Sequence, residues 1–199
     1  MKILHVSDLH YNISHFDWVA SQQDDSDVIC MTGDFLDELA GDEKKQIAWI
    51  TEWIKGIKTP LFVCSGNHDI NVEGAENWLN EIDANDYYCD GMTVTIQGVK
   101  IACAPYENYD GFDDYDCDIL LNHLPPSNTR TGMTLEGEDW GDRQLYRALK
   151  HRLIQPRIVL SGHIHRPESR VDELYGVSVY NSASSSKVLE TVFHIIEMG

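Results

Sequence analysis

The chain has 199 residues, a length that fits one domain of ordinary size. Its 15 Lys and Arg against 33 Asp and Glu give a formal net charge of −18, which repels long nucleic acid and acidic membrane surfaces. The apolar run near the start, residues 3–6, is too short for a signal sequence or a membrane span. We therefore expect one cytoplasmic domain over residues 1–199, without a cap domain and without contact to membranes. The oligomeric state stays open.

Charge is distributed unevenly along the chain. Residues 1–129 hold six basic and 24 acidic side chains, whereas residues 130–199 hold nine of each and include every arginine. The five cysteines are dispersed and never adopt a C-x-x-C spacing. This pattern favours buried, reduced thiols over a disulfide framework or a thiolate zinc site.

Short apolar runs predict buried strands that end in polar loops. Each run is followed by Asp, Gly, Asn or His, and the runs cover residues 2–7, 27–32, 61–65, 118–122 and 157–161. Two segments have helical spacing instead. The first, residues 42–55, places Ile47, Ile50 and Ile54 on one face. The second, residues 142–153, does the same with Leu145, Leu149 and Leu153, and Asp142 is its expected N-cap.

The remaining extended segments indicate that strands pair antiparallel as well as parallel. Residues 93–97 and 99–103 flank Gly98 and read as a hairpin. Residues 176–182 and 190–197 read as two further strands with no helix between them. We therefore predict a single α/β domain with mixed sheets.

Polar residues with metal-ligand chemistry follow each of the predicted core strands. In chain order they are Asp8 and His10, Asp34 after Gly33, Asn67 with His68 and Asp69 after Gly66, His123, and finally His163 and His165 after Gly162. The carboxyl ends of strands are where open α/β sheets build their sites. Imidazole, carboxylate and one amide suit Mn²⁺, Fe, Zn²⁺ or Ni²⁺, and the set exceeds what one tetrahedral ion uses. The pattern therefore predicts two divalent metals that share a bridge, for which Asp34 is central in the order.

The ordered motifs D-x-H, G-D, G-N-H-D, a lone H and G-H-x-H resemble those of the calcineurin-like metallophosphoesterase superfamily. The resemblance spans residues 8–165 in the right order. It implies a four-layer αββα sandwich of two mixed β-sheets flanked by helices. It also implies a first metal on Asp8, His10, Asp34 and His165, and a second on Asp34, Asn67, His123 and His163.

The same resemblance implies the reaction. A hydroxide held between two metals, with Mn²⁺ favoured, attacks phosphorus while His68 assists the leaving oxygen. Asp69 is expected to orient the His68 imidazole. The context of Asp8 and the sequence after His123 look closest to the cyclic-nucleotide phosphodiesterase-like branch, whereas Tyr11 stands where protein phosphatases of the superfamily carry glycine.

These features lead us to expect a phosphodiesterase for a small nucleotide-like substrate, and not for long nucleic acid. Arg130 and Arg166 are candidate substrate-binding residues, because guanidinium groups bind phosphate well. Aromatic residues near the motifs offer candidate base-stacking platforms, namely Tyr106, Tyr109, Phe112, Tyr115 and Trp140. The alternatives are a phosphomonoesterase, a nuclease for short nucleic acid, and a metal-binding interaction scaffold without catalysis.

Overall fold

Two mixed β-sheets form the centre of the computed structural model, which describes residues 1–108, 111–185 and 190–198. The strands are β1 Lys2–Val6, β2 Val28–Thr32, β3 Leu61–Cys64, β4 Tyr87–Tyr88, β5 Thr93–Ile96, β6 Val99–Cys103, β7 Ile119–Leu121, β8 Ile158–Ser161, β9 Val171–Leu174, β10 Val177–Asn181 and β11 Phe193–Glu197. The α-helices are α1 Ile13–Ser21, α2 Glu43–Gly56 and α3 Arg143–Lys150. No helix in the described part of the chain combines the length and apolarity that a membrane crossing requires.

The first sheet has the strand order β11-β1-β2-β3-β4. Strands β1 to β4 are parallel to their neighbours, and β11 pairs antiparallel with β1. The second sheet has the order β5-β6-β7-β8-β10-β9, in which β6, β7, β8 and β10 are parallel while β5 and β9 are antiparallel edges. Because parallel strands end at the same edge, each sheet collects several loops on one side.

Successive side chains of a strand point to opposite faces of its sheet, so each sheet packs on both faces. The result is a four-layer sandwich. Leu4 and Val6 of β1 pack toward α1 and α2, together with Ile50 and Ile54 of α2. Ile3 lies on the opposite face of β1 and packs between the two sheets. On the far side of the second sheet, strand residues such as Leu120, Val159 and Val179 pack against α3. The order of layers is therefore helices, sheet, sheet and helix.

The structure confirms the predicted fold class and most of its elements. All five predicted core strands are present within one residue of the expected bounds, and the hairpin forms from β5 and β6. Asp42 and Asp142 cap α2 and α3 through their side chains. The predicted second helix was too long at its end, because Arg152 adopts a φ of 56° and Leu153 is 52% exposed. The five cysteines are free, and four of them are buried.

Candidate metal centre

The loops that follow the parallel strands are joined to one another by backbone hydrogen bonds. The N–H groups of Asp8 and His10 donate to the carbonyls of Gly33 and Asp34, at 3.0 Å in each case. In the second sheet, the Gly162 N–H donates to the carbonyl of His123 at 2.9 Å. The polar residues predicted after the strands are thereby held in adjacent loops.

Several candidate ligands occupy a backbone conformation that side-chain-bearing residues seldom adopt. The φ angles are 57° for Asp8, 42° for His10, 56° for Asp34 and 67° for His163. Such residues cost free energy and persist where the surrounding structure holds them, which is common at functional sites. Four of the twelve such residues in the described chain are therefore predicted ligands.

Glycines beside these residues allow the loops to approach closely. A Cβ atom on Gly66 would overlap the Asp34 carboxylate, and one on Gly162 would overlap Ser7 and Asp8. The Gly-Asn-His-Asp and Gly-His-x-His motifs therefore need glycine for space.

The Asp34 carboxylate, at the end of β2, lies between histidines from both sheets. Its Oδ2 atom is 3.8 Å from Nε2 of His10 and 3.4 Å from Nε2 of His123. The same oxygen is 3.9 Å from Nε2 of His68. Oδ1 accepts the His68 N–H at 3.0 Å, which leaves Oδ2 directed at the imidazoles. A carboxylate with imidazoles on two sides has the position that a bridging ligand requires.

On one side of Asp34, Asp8 and two histidines form the predicted first site. Asp8 Oδ1 is 3.4 Å from Nε2 of His165 and 3.9 Å from Nε2 of His10. The His10 and His165 rings are stacked with centroids 5.3 Å apart. Oδ2 of Asp8 is fixed by the Ser7 hydroxyl at 2.5 Å and by the His163 N–H at 3.0 Å. Asp8 therefore presents one anchored oxygen and one that faces the imidazoles.

On the other side of Asp34, the structure brings together the predicted second site. Asn67 Oδ1 is 3.1 Å from Nε2 of His123. Nδ1 of His163 is 3.2 Å from the same Nε2 atom. The three side chains come from loops after β3, β7 and β8, so both sheets contribute.

Hydrogen bonds at the far ring nitrogens set which nitrogen each central histidine presents. Nδ1 of His10 donates to the carbonyl of Leu36 at 3.2 Å. Nδ1 of His123 donates to the carbonyl of Thr32 at 2.7 Å. Both rings therefore present Nε2 to the centre, the arrangement typical of metal-binding histidines.

The charges of the centre interact strongly in the absence of a cation. Burial raises the pKa of the Asp8 carboxyl to about 7. Burial also opposes charge on Asp34 and His123, but their mutual attraction outweighs it, so the pKa of Asp34 is lowered and that of His123 is raised to about 10. Burial and neighbouring histidines lower the pKa of His163 and His165 to about 4. The latter two rings are neutral at pH 7, which is the metal-binding form.

Buried polar atoms without partners show that these residues fit metal ions. Asp8 Oδ1 and His10 Nε2 are buried and accept or donate no hydrogen bond in the described chain. Such atoms are costly unless an ion or water satisfies them. Ligand atoms lie within 4.8 Å of one another in three groups, namely Asp8 with His10 and His165, His10 with Asp34 and His68, and Asp34 with His123 and His163. Imidazole with carboxylate is a donor set for divalent transition metals.

Asp69 and His68 do not form the pair that the sequence suggested. Asp69 accepts the N–H groups of Asp34, Phe35, Leu36 and Gly66 at 2.7 to 3.1 Å, so both of its oxygens bind backbone. The carboxylate near Nδ1 of His68 is instead that of Glu38, at 3.4 Å. Asp69 therefore holds the loop that carries Asp34, and Glu38 is a site residue that the motifs did not identify.

The arginines selected from the sequence have no contact with the candidate ligand side chains in the described part of the chain. Arg130 is exposed and donates from Nε to Glu168 at 3.3 Å, and Arg166 is also exposed. Arg170 has a supporting position instead, since its guanidinium donates to the carbonyls of His165 at 3.0 Å and Ala183 at 2.9 Å. Its contacts fix the backbone of one candidate ligand.

Two of the candidate aromatic platforms lie against the centre and two do not. The Tyr106 ring is 5.8 Å from that of His123, and the Trp140 ring is 6.5 Å from that of His163. Phe112 is buried in the layer beneath α3, and Tyr115 packs against that layer. The last candidate, Tyr109, lies outside the described residues.

The comparison with protein families identifies the class. The model of the calcineurin-like phosphoesterase family matches residues 1–167. The chain belongs to the calcineurin-like phosphoesterase family, as the motif order predicted. Among curated proteins, none matches this sequence.

Solved structures share the fold at low sequence identity. The protein TT1561 of Thermus thermophilus is 13% identical with a TM-score of 0.67, over 92% of this chain and 89% of its own. An archaeal phosphodiesterase is 18% identical with a TM-score of 0.56, over 98% of this chain and 99% of its own. The purple acid phosphatase PPD1 from yellow lupin (Lupinus luteus) seeds is 15% identical with a TM-score of 0.53, over 83% of this chain and 38% of its own. These similarities confirm the sandwich architecture.

Proposed function

We propose that this chain is a phosphodiesterase that depends on two divalent metal ions and acts on a small, nucleotide-like phosphodiester. The observation that carries the proposal is the Asp34 carboxylate, whose Oδ2 atom lies 3.4 to 3.9 Å from three imidazole nitrogens. The similarity in fold to an archaeal phosphodiesterase is consistent with it.

The proposal assigns the ligands to two groups. Asp8, His10, Asp34 and His165 hold the first ion, and Asp34, Asn67, His123 and His163 hold the second. Two bound divalent cations would neutralise phosphoryl oxygens and lower the pKa of water. Mn²⁺ is the first metal to test, because mixed imidazole and carboxylate ligands suit it.

His68 is the residue that we assign to the leaving group. Its side chain is 29% exposed, so one face of the ring is open to a substrate. Nδ1 faces Glu38 and Nε2 faces the centre near Asp34. Nδ1 forms no hydrogen bond in the described chain, so the role that we assign to Glu38 is electrostatic: its nearby carboxylate favours the ring orientation in which Nε2 can hold a proton for the departing oxygen.

The charge of the site supports a diester over a monoester. In the described chain, no lysine or arginine side chain forms an ion pair with a candidate ligand, while Asp8 and Asp34 are both buried there. A monoester carries up to two negative charges and a diester carries one, so a site whose ligands pair with no lysine or arginine favours the diester. The net charge of −18 likewise favours a small substrate over long nucleic acid. Five free cysteines support a reducing, cytoplasmic location.

The test compares bis-p-nitrophenyl phosphate with p-nitrophenyl phosphate, using protein stripped of metal and then supplied with Mn²⁺, Fe²⁺, Zn²⁺ or Ni²⁺. We expect hydrolysis only with metal and a higher kcat/KM for the diester. A preference for the monoester would make the chain a phosphatase, and inactivity with every metal would favour the interaction scaffold. The Asp34→Asn variant, prepared identically, shows whether a contaminating enzyme contributes.

A further inference from the structure

A cleft of about 290 Å³ adjoins the candidate metal centre and contains none of its ligands. One wall carries Tyr106 and Glu107, and the other carries Arg143 and Gln144 at the start of α3. Leu124, the residue after His123, lines the cleft as well. Arg143 is one of the cationic residues of the second part of the chain, and it is exposed without an ion pair among the described residues.

Both walls of this cleft are fixed relative to His123. The Tyr106 ring is 5.8 Å from the His123 ring, and the Tyr106 N–H donates to the Ser65 hydroxyl at 2.9 Å. On the opposite wall, the N–H of Asp142 donates to the carbonyl of Pro125 at 2.7 Å. A substituent on a phosphoryl group at the metal centre could therefore enter a cleft whose backbone is held beside His123.

The polar groups of the cleft decide what kind of substituent it fits. Arg143 supplies one positive charge, whereas Glu107 and Asp142 supply two negative charges, so the lining is net negative. A second phosphate is therefore disfavoured. Carboxylates accept hydrogen bonds from sugar hydroxyls and exocyclic amines, and the Gln144 amide and Arg143 guanidinium donate to ring nitrogens and carbonyls. Tyr106 adds an aromatic ring on which a flat heterocycle can stack.

We propose that this cleft binds the nucleoside part of the substrate, with Arg143 and Gln144 as specificity-determining residues. The inference rests on the proposed function and specifies its substrate as an ester between phosphate and a nucleoside. The nucleoside lies between Tyr106 and the first turn of α3 while its phosphate occupies the metal centre.

The experiment compares two substrates with the same leaving group and the same single charge. They are the p-nitrophenyl ester of thymidine 5′-monophosphate and methyl p-nitrophenyl phosphate, each measured with Mn²⁺. We expect the wild type to prefer the nucleoside ester in kcat/KM by at least about tenfold, equivalent to about 1.4 kcal/mol. The double variant Arg143→Ala/Gln144→Ala should bring that ratio close to one.

A matched control lies one turn further along the same helix. Arg147 is exposed like Arg143 but does not line the cleft, so Arg147→Ala should retain the preference for the nucleoside ester. An unchanged ratio in the double variant would overturn the proposal. So would loss of the ratio in Trp140→Ala alone, because the nucleoside would then lie beside His163 instead.

Failure of the proposed function gives a different result. If the wild type hydrolyses neither ester with any metal, the phosphodiesterase assignment fails while the cleft is still tested by calorimetry with uridine 5′-monophosphate and Mn²⁺. Binding that is at least about tenfold weaker in the double variant supports the nucleoside site. Equal affinity in the wild type and the double variant, or no binding, overturns it.

Discussion

Buried polar groups occupy two neighbouring regions of the first sheet, and they differ in how fully they are satisfied. Within β1, His5 lies 3.0 Å from the Thr32 hydroxyl through Nε2 and 2.9 Å from the Ser182 hydroxyl through Nδ1. Beyond the end of the same strand, Asp8 Oδ1 and His10 Nε2 are also buried but have no hydrogen-bond partner in the described chain. Only Val6 and Ser7 separate His5, in the satisfied cluster, from Asp8, in the unsatisfied one.

The difference shows which buried polar residues serve the fold and which need a ligand. A buried group with complete hydrogen bonds adds order to the interior, whereas an unsatisfied one carries a desolvation cost that a bound cation can offset. The stability that the closed cluster around His5 contributes should therefore change with pH and not with bound metal. The stability that the open centre around Asp34 contributes should change with both.

Replacement of the central carboxylate should have the largest effect. Asp34→Asn removes the negative charge between the two histidine groups, so we expect fewer than two metals per chain and a fall in activity of about 10³-fold. Elemental analysis and diester hydrolysis measure the two effects. The exposed Asp83→Asn variant is the control for loss of one negative charge. Two metals per chain in the Asp34→Asn protein would contradict the bridge.

The next largest effect is expected at His68. His68→Ala should retain two metals per chain but lose about 10²-fold in kcat for diesters with alkyl leaving groups, because these need a proton on the departing oxygen. The loss for p-nitrophenyl esters should be smaller, since that leaving group departs without protonation. Equal losses for both leaving groups would contradict the leaving-group role, and loss of one metal would make His68 a ligand instead.

Glu38 tests whether the orientation of His68 matters. Glu38→Gln should lower kcat for poor leaving groups by about tenfold. This is the scale typical of residues that position a functional side chain without contacting the substrate. KM and metal content should change little. Glu81→Gln, an exposed glutamate elsewhere, is the matched comparison. If the Glu38→Gln and His68→Ala losses add fully in the double variant, Glu38 does not act through the imidazole.

The smallest effect concerns the closed cluster. Burial holds the pKa of His5 well below its usual range, so the unfolded chain takes up a proton near pH 6.5 that the folded chain excludes. Stability from this group is therefore present above that pH and is lost as the pH falls through it. In urea unfolding of metal-free protein, His5→Gln should reduce the loss between pH 7 and 5, by at most about 1.4 kcal/mol per pH unit. The exposed His151→Gln variant is the matched control for a change of histidine to glutamine.

The sequence was sufficient to predict the five core strands and the loop residues at their ends, but not the short strand β4 or the edge strand β9. Each core strand is an uninterrupted apolar run followed by a polar motif, and parallel strands bring such motifs to one edge. The structure places Asp8 and His163, far apart in sequence, in direct contact at 3.0 Å. In contrast, α1 was not predicted, because its nine residues bury only His15, Phe16 and Val19 and offer too short a pattern.

Side-chain partners were less predictable than positions along the chain. Arg130 follows His123 closely in sequence, yet its guanidinium pairs with Glu168. Arg143 is farther along the chain, but the hydrogen bond from the Asp142 N–H to the Pro125 carbonyl holds the start of its helix beside the loop after His123. The proximity of Arg143 to the loop after His123 depends on where the chain folds back. The spacing of residues along the sequence does not indicate it.

The four backbone bonds to Asp69 couple loops that belong to two different strands. One carboxylate accepts the N–H groups of Asp34, Phe35 and Leu36 after β2 and of Gly66 after β3. One carboxylate thus protects all four amides from hydrogen–deuterium exchange. A movement of the Asp69 side chain that breaks these hydrogen bonds exposes the amides together. The two loops thus form one exchange unit, and a ligand that restrains either of them slows exchange in both.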